Sequence, residues 1–292
     1  MDNISKLCLG TAQFGMNYGV NNTTGQPNQE EINTMLNMAY KNRVLFLDTA
    51  SAYGMSELSI GSFIENNKNS GFNIITKLSP GITDEKIITQ KVEQSIENLK
   101  INSMYGYLIH SYSDFINDNS IFNKLINLKS TYNIGKIGVS LYLPSELINL
   151  LENNISIEIV QIPYSILDTR FEKLFPELKK RNIEIHVRSV FLQGLLFKKP
   201  ESLKGKLISF HNHLKKINEI CMKNKIDVDQ LALGWVLKNK QIDKIVVGID
   251  NIQNLSRLID IETGTYFYDY YGIQELQNIK INERLLNPGQ WR

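Results

Sequence analysis

Eight short apolar segments are spaced along most of the chain. They constrain the possible folds of this sequence more than any other feature does. Several of them are continuously apolar rather than alternating, which is typical of parallel strands buried on both faces. The predicted strands are residues 6–10, 43–48, 72–77, 104–110, 136–140, 157–163, 183–189 and 243–248.

The stretches between these strands have the spacing of amphipathic helices. In residues 84–100, for example, Ile88, Val92 and Leu99 recur on one helical face. The other predicted helices are 28–41, 56–66, 121–132, 145–151, 171–181, 211–224, 228–239 and 251–260. Strands that alternate with helices predict a parallel sheet, and eight such units are the number that closes a barrel. We therefore predict an α/β chain, a (β/α)8 TIM barrel, with residues 1–292 as a single domain.

Two segments lie outside this repeat. Residues 190–210 form a long connection after the seventh strand, and residues 262–292 form a tail after the last helix. Long loops in compact domains are commonly functional or disordered. Because the tail ends near Trp291, whose large ring is costly to expose, we expect it to pack back on the barrel.

Composition narrows the choice of partners and compartment. The formal net charge is only +2 and no dense Lys/Arg block occurs, which argues against nucleic acid and acidic membrane surfaces. No apolar run reaches the ~18 residues of a membrane span. The two cysteines, Cys8 and Cys221, have neither disulfide-framework nor metal-site spacing. We expect free thiols, no metal and a cytoplasmic protein, with the oligomeric state left open.

Polar residues follow three consecutive predicted strands. Asp48 ends the second strand and Tyr53 comes five residues later, while Lys77 ends the third strand and His110 the fourth. Each alone has a structural explanation, such as a strand-end cap for Asp48 or a half-buried ring for Tyr53. Because the carboxyl ends of barrel strands meet at one mouth, the four together predict an active site there.

The chain resembles the aldo-keto reductase family over nearly its whole length. The resemblance is carried by the segments LGTAQFG (9–15), LDTASAYG (47–54), ITK (75–77), LIH (108–110), GVS (138–140), VQIPYSILD (160–168), RSVFLQGLL (188–196) and IVVGIDNIQNL (245–255). It implies reduction of an aldehyde or ketone by NADPH or NADH, with Asp48, Tyr53, Lys77 and His110 as the catalytic tetrad.

The resemblance also implies residues that bind the cofactor. Ser140 and Gln161 match the positions that hold the nicotinamide amide, but Leu141 replaces the usual Asn. Arg188 takes the place of an aromatic residue that stacks on the nicotinamide, and a planar guanidinium can also stack. The remaining expected cofactor-binding residues are Thr11, Ser189, Leu192, Gly194, Gly248, Asn251, Asn254 and Arg257.

These residue types suit carbonyl reduction. No side chain donates hydride, so a nicotinamide supplies it, and an acid must protonate the carbonyl oxygen. We hypothesise that Tyr53 is this acid, that Lys77 lowers its pKa, and that Asp48 holds Lys77 in place. His110 would orient the carbonyl.

Cofactor preference and substrate stay open at this stage. The family favours NADP, but no cation occupies the matching positions Gly248, Asn251 and Asn254, so NAD use is an alternative. Arg257 is either a phosphate contact or a solvated helix charge. The opening and closing segments resemble bacterial members associated with surface-polysaccharide sugar synthesis, which suggests a sugar substrate. The alternatives are a broad aldehyde reductase and a protein that binds nicotinamide as a redox sensor.

Overall fold

The computed structural model describes residues 5–17, 19, 25–68, 70–263 and 270–291. Within them, eight parallel strands close into a barrel in chain order, and the last strand pairs with the first. The strands are β1 (Leu7–Gly10), β2 (Phe46–Asp48), β3 (Asn73–Leu78), β4 (Met104–Ile109), β5 (Ile134–Ser140), β6 (Ile159–Pro163), β7 (Glu184–Arg188) and β8 (Lys244–Gly248). The prediction of a (β/α)8 barrel is confirmed.

Helices surround the barrel and most begin and end within a few residues of their predicted bounds. They are α1 (Ala12–Gly15), α2 (Gln29–Lys41), α3 (Ser56–Asn66), α4 (Glu85–Leu99), α5 (Tyr112–Asn117), α6 (Ile121–Leu128), α7 (Pro144–Glu152), α8 (Phe175–Lys180), α9 (His211–Asn224), α10 (Val228–Leu237), α11 (Ile252–Thr263) and α12 (Tyr270–Asn278). The predicted helix 171–181 is instead a 3₁₀ turn followed by α8. Pro176 explains the break, because proline lacks an N–H and is tolerated only in the first turn of a helix.

The side chains of the strands alternate between two apolar clusters. Leu7, Leu9 and Leu47 belong to a large cluster that includes the buried faces of the helices. A separate small cluster contains Cys8, Phe46, Ile75, Leu108, Ile159 and Val246. Because successive strand side chains point to opposite faces, the small cluster is the interior layer of the barrel.

The connection after β7 and the tail contact each other. Residues 192–210 contain short 3₁₀ turns, including Gly205–Phe210. The Trp291 ring packs edge-on to Phe210 with centroids 6.3 Å apart, and its Nε1 donates to the Leu285 carbonyl at 2.7 Å. Residues 264–269 and Arg292 of the predicted tail lie outside the described residues. No helix in the described ranges is long and apolar enough to cross a membrane.

Two glycines allow the turn after β2 to lie against α1. A Cβ on Gly15 would lie 1.7 Å from the Tyr53 carbonyl oxygen and 2.4 Å from the Ser56 nitrogen. Gly54 has a φ of +55°, and a Cβ there would lie 2.3 Å from the Gly15 carbonyl oxygen. Only glycine adopts the left-handed conformation of Gly54 without strain. Only glycine at both positions lets the two backbone segments approach this closely. The pair therefore sets the position of Tyr53.

We predict that Gly15→Ala destabilises the protein by about 3 kcal/mol, because the new methyl group meets backbone atoms that cannot rotate away. Gly81→Ala is the matched control. No atom lies within 4 Å of a Cβ there, so only the cost of its φ of +83° remains, about 1 kcal/mol. Urea unfolding measures both variants, and equal losses would contradict the proposed contact.

Candidate active site

The carboxyl end of the barrel carries a ring of polar side chains directly above the apolar interior layer. Asp48 comes two residues after Phe46, Lys77 two after Ile75, and His110 two after Leu108. Gln161 follows Ile159 at the same spacing. Since the side-chain period of a strand is two, these residues point into the barrel one layer above the apolar cluster. The fold thus brings together polar groups that lie far apart in sequence.

Asp48 and Lys77 form a buried ion pair at the centre of this ring. The Lys77 Nζ lies 2.6 Å from Asp48 Oδ1 and also donates to the Thr49 carbonyl at 2.9 Å, while the Lys77 side chain is 0% exposed. Burial alone would lower the pKa of Lys77, but the charge of Asp48 raises it overall. Lys77 therefore remains an ammonium ion despite complete burial.

Gln161 completes the environment of Asp48. Its Nε2 donates to Asp48 Oδ2 at 2.6 Å from the far side of the barrel, so both carboxylate oxygens are paired. This contact engages the amide nitrogen of a residue predicted to bind the nicotinamide. Its amide oxygen remains the group for that predicted role.

Hydroxyl groups hold the turn between Asp48 and Tyr53. The Thr11 hydroxyl donates to the Asp48 carbonyl at 3.0 Å, and the Thr49 hydroxyl donates to Ser56 Oγ at 3.0 Å. Ser56 in turn donates to the Thr11 carbonyl at 2.8 Å. Thr11 is fully buried in this network and is not among the residues that line the cavity, so its cofactor contact stays a prediction. Its hydroxyl supports the turn.

The Tyr53 ring lies between Lys77 and His110. The Lys77 Nζ is 5.2 Å from the ring centroid, and the His110 ring is edge-on at 5.6 Å with an interplanar angle of 81°. Burial raises the pKa of the Tyr53 phenol, and the opposing effect of Lys77 is smaller. Lys77 therefore acts in the predicted direction, but the net pKa of Tyr53 lies above its ordinary value, because desolvation of the phenolate outweighs its stabilisation by one ammonium ion.

His110 is a neutral imidazole. Burial, followed by the positive charges of Lys77 and Arg188, lowers its pKa to about 3. Its Nδ1 is buried and has no hydrogen-bond partner among the described residues. A neutral imidazole with an unpaired nitrogen at a cavity wall is suited to hydrogen-bond a polar ligand group.

A cavity of about 440 Å³ opens above the polar ring. Asp48, Tyr53 and His110 line it, whereas Lys77 lies behind them. The expected cofactor-binding residues that also line it are Ser140, Gln161, Arg188, Ser189, Gly194, Gly248, Asn254 and Arg257.

Two other expected contacts do not line the cavity. Leu192 is fully buried in the apolar core. Asn251 caps the start of α11, where its Oδ1 accepts from the Asn254 nitrogen at 2.8 Å. Packing uses the side chain of Leu192 and helix capping uses that of Asn251, so the cofactor contacts expected of these two residues stay predictions.

The comparison with known proteins agrees with this geometry. A model described as the Aldo/keto reductase family matches residues 6–266. The chain belongs to the aldo-keto reductase family. It is therefore an NAD(P)H-dependent oxidoreductase. The assignment to a branch associated with surface-polysaccharide sugars is not part of this finding.

Individual relatives are distant but align over most of the chain. It is 26% identical to the "NADH-specific methylglyoxal reductase" of Escherichia coli K12, over 84% of this chain and 86% of that protein. It is 24% identical to the "Uncharacterized oxidoreductase YqkF" of Bacillus subtilis 168, over 76% and 79%. The structure of the aldo-keto reductase AKR11C1 from Bacillus halodurans, in its holo form, covers 96% of this chain and 94% of its own, with a TM-score of 0.76 and 19% identity. This last match supports the fold.

The cavity of this aldo-keto reductase fits a nicotinamide dinucleotide. Gln13 Oε1, like His110 Nδ1, is a buried polar atom without a partner among the described residues, and both side chains line the cavity. A Cβ on Gly248 would lie 2.7 Å from Gln13 Nε2, so glycine keeps the cavity open there. Ser140, Gln161, Arg188 and Gly248 would hold the cofactor, which supplies the hydride when bound.

The Leu141 and Arg188 positions depart from the family pattern together. The Leu141 side chain is fully buried in the core, so it does not replace the usual Asn as a cavity contact. Its carbonyl accepts a hydrogen bond from Arg188 Nη2 at 2.9 Å, and the Arg188 guanidinium carbon lies 4.1 Å from the Tyr142 ring centroid. Tyr142 was not among the predicted residues, because its contact with Arg188 joins the ends of β5 and β7, which lie far apart in the sequence.

The other end of the cavity carries carboxylates that the sequence analysis did not assign. Arg257 Nε donates to Asp229 Oδ2 at 2.8 Å, and its Nη2 donates to Asp227 Oδ2 at 2.5 Å. Asp250 also lines the cavity, and its Oδ1 accepts from Asn251 at 3.1 Å. Hydrogen bonds to Asp229 raise the pKa of Arg257 further above its ordinary value. Arg257 is thus an ion-paired residue with carboxylates close by.

We predict that Lys77→Met destabilises the protein by about 3–5 kcal/mol, because it leaves the Asp48 carboxylate buried without its cation. Adding Asp48→Asn should recover part of this loss. Urea unfolding at neutral pH tests the two variants. Lys124→Met is the matched control, since Lys124 pairs with Asp118 near the surface and should lose about 1 kcal/mol or less. Additive losses in the double variant would contradict the coupling.

Proposed function

We propose that this aldo-keto reductase reduces a small aldehyde or ketone to the alcohol, with Tyr53 as the proton donor. The observation that carries the proposal is the Tyr53 ring at the cavity wall, between the Lys77 ammonium and the neutral His110 imidazole. A raised pKa keeps the Tyr53 phenol protonated at neutral pH, which a proton donor requires.

Each residue then has one task. His110 donates a hydrogen bond to the carbonyl oxygen and orients it. Hydride is added to the carbonyl carbon, and Tyr53 transfers its proton to the oxygen. Lys77 stabilises the negative charge that appears on Tyr53, and Asp48 keeps Lys77 fixed and charged.

Tyr53→Phe tests the proposal. The substitution removes the proton and keeps the ring, so we expect kcat for aldehyde reduction to fall by about 10²–10⁴-fold while NADH binding is retained. Tyr132→Phe, which removes a surface hydroxyl bonded to Glu93, is the control and should leave kcat unchanged. Wild-type rates in the Tyr53→Phe variant would refute the assignment.

We further propose that NADH is the preferred cofactor. A 2′-phosphate would enter a region in which Arg257 is already neutralised by Asp227 and Asp229, and in which Asp250 adds a negative charge. A 2′-hydroxyl can instead donate to a carboxylate there. The name of the relative, an NADH-specific reductase, supports the same preference. This departs from NADP as the default expected from the family resemblance.

NADPH is the second candidate because two lysines lie close by. Lys198 and Lys199 line a shallow depression next to Asp229 and Arg257. In NADPH-dependent binding they would have to provide the positive charge that Arg257 cannot. The dissociation constants of the two cofactors therefore distinguish the candidates.

We predict that the wild type binds NADH at least about tenfold more tightly than NADPH, and that Asp229→Asn narrows this ratio by about tenfold. The variant removes a negative charge and releases one side of Arg257, and tenfold corresponds to 1.4 kcal/mol. Fluorescence titration measures both constants. Asp118→Asn removes a charge that pairs with Lys124 and should not change the ratio. Tighter NADPH binding by the wild type would refute the preference.

Oxidation of NADH or NADPH in the presence of a panel of aldehydes and ketones identifies the substrate. Methylglyoxal is the first compound to try, because the relative from Escherichia coli is named a methylglyoxal reductase. Sugars follow from the resemblance to polysaccharide-associated members. Similar turnover of unrelated aldehydes would favour the broad reductase. A protein that binds NADH but reduces nothing on the panel would favour the redox-sensing alternative.

A further inference from the structure

Arg188 is a cation in the cavity wall without an acidic partner. It ends β7 and is half-buried, and no carboxylate in the described part of the chain lies within ion-pair distance of it. Arg257, at the other end of the same cavity, differs in this respect, because two carboxylates pair with it. A partly buried charge without a counter-ion costs free energy and so calls for an explanation.

The position of this charge is fixed by three contacts. Arg188 Nη2 donates to the Leu141 carbonyl at 2.9 Å and Nη1 donates to Ser189 Oγ at 3.3 Å. The guanidinium also packs on the Tyr142 ring, 4.1 Å from its centroid. Because none of these partners carries a negative charge, they orient the guanidinium and leave its charge uncompensated.

The field of Arg188 reaches the predicted catalytic residues. Beside the larger effect of burial, its charge helps to lower the pKa of His110 and opposes the rise in the pKa of Tyr53. Any group that binds between these residues and Arg188 is therefore exposed to a positive potential.

The nicotinamide is that group if the proposed function holds. Ser140, the last residue of β5, is paired in register with Gln161 of β6. β7 continues the sheet with Arg188 opposite Pro163, the last residue of β6. A ring held by Ser140 and Gln161 that delivers hydride to a carbonyl at Tyr53 occupies the section of the cavity that Arg188 lines. The oxidised ring is a cation, whereas the reduced ring is neutral.

We propose that Arg188 makes this enzyme bind NADH in preference to NAD⁺. The inference rests on the proposed function and adds a specificity-determining role for one residue. A fixed guanidinium repels the oxidised ring and has no such effect on the reduced ring. After the carbonyl is reduced, the NAD⁺ that has formed is therefore released more readily than NADH would be. By linkage, the same preference favours the reduced form of the bound cofactor.

The dissociation constants of NADH and NAD⁺ test this role without any turnover. NADH fluorescence gives the first constant, and displacement of NADH by NAD⁺ gives the second. We expect NAD⁺ to bind at least about tenfold more weakly than NADH to the wild type, and Arg188→Gln to reduce this ratio by about tenfold, mainly through tighter NAD⁺ binding. Arg188→Lys, which keeps the charge, should retain most of the ratio. Arg188→Trp offers a second neutral variant with a planar ring.

ADP-ribose separates an effect on the ring from an effect on the pyrophosphate. It lacks the nicotinamide, so its affinity should be the same in the wild type and in Arg188→Gln. Arg181→Gln, which removes a surface arginine paired with Glu177, is the matched control.

The outcomes are distinct. An unchanged ratio in both neutral variants, or equal weakening of NADH, NAD⁺ and ADP-ribose, would overturn the role of Arg188 and leave the proposed function standing. Failure of the wild type to bind either nicotinamide form would overturn both.

Discussion

The buried ion pair of Asp48 and Lys77 is the interaction on which the site depends. Lys77 is 0% exposed and cannot remain charged without a carboxylate beside it. Asp48 lies on an apolar layer, and its negative charge equally requires the Lys77 ammonium. The 2.6 Å contacts of Asp48 with Lys77 and with Gln161 join β2, β3 and β6 across the barrel. Such a pair contributes little net stability, but its geometry admits few alternatives. It therefore fixes the side chains of Asp48, Lys77 and Gln161 relative to one another at the mouth.

Burial and charge act in opposite directions on Tyr53, and their balance suits a proton donor. In the protonated state the phenol is neutral, so the Lys77 ammonium interacts with it weakly. The pKa is raised because the cost of burying the phenolate exceeds the attraction of Lys77 for it. When the proton leaves, the same ammonium lies 5.2 Å from the centre of an anionic ring. The stabilisation by Lys77 thus appears mainly as charge develops, which is the condition under which an interaction accelerates a reaction.

Local patterns in the sequence were enough to predict the barrel and the positions at its mouth. Continuous apolar runs identify the strands, and the period of two places Asp48, Lys77 and His110 on the inner face. What could not be predicted depends on contacts between distant segments. The Thr11 hydroxyl donates to the Asp48 carbonyl, 37 residues away, and Arg257 pairs with Asp229, 28 residues away. The pKa of Tyr53 also depends on burial, which no local pattern contains.

The two arginines that line the cavity, Arg188 and Arg257, differ in their partners. Two carboxylates, Asp227 and Asp229, pair with Arg257, which is the basis of the proposed preference against an additional phosphate. Arg188 is held by a carbonyl, a hydroxyl and an aromatic ring, so its charge acts on whatever binds beside it. The difference lies entirely in the partners. The proposed selection against a 2′-phosphate and the proposed selection against an oxidised ring therefore rest on separate groups, and substitutions at the two ends should combine additively.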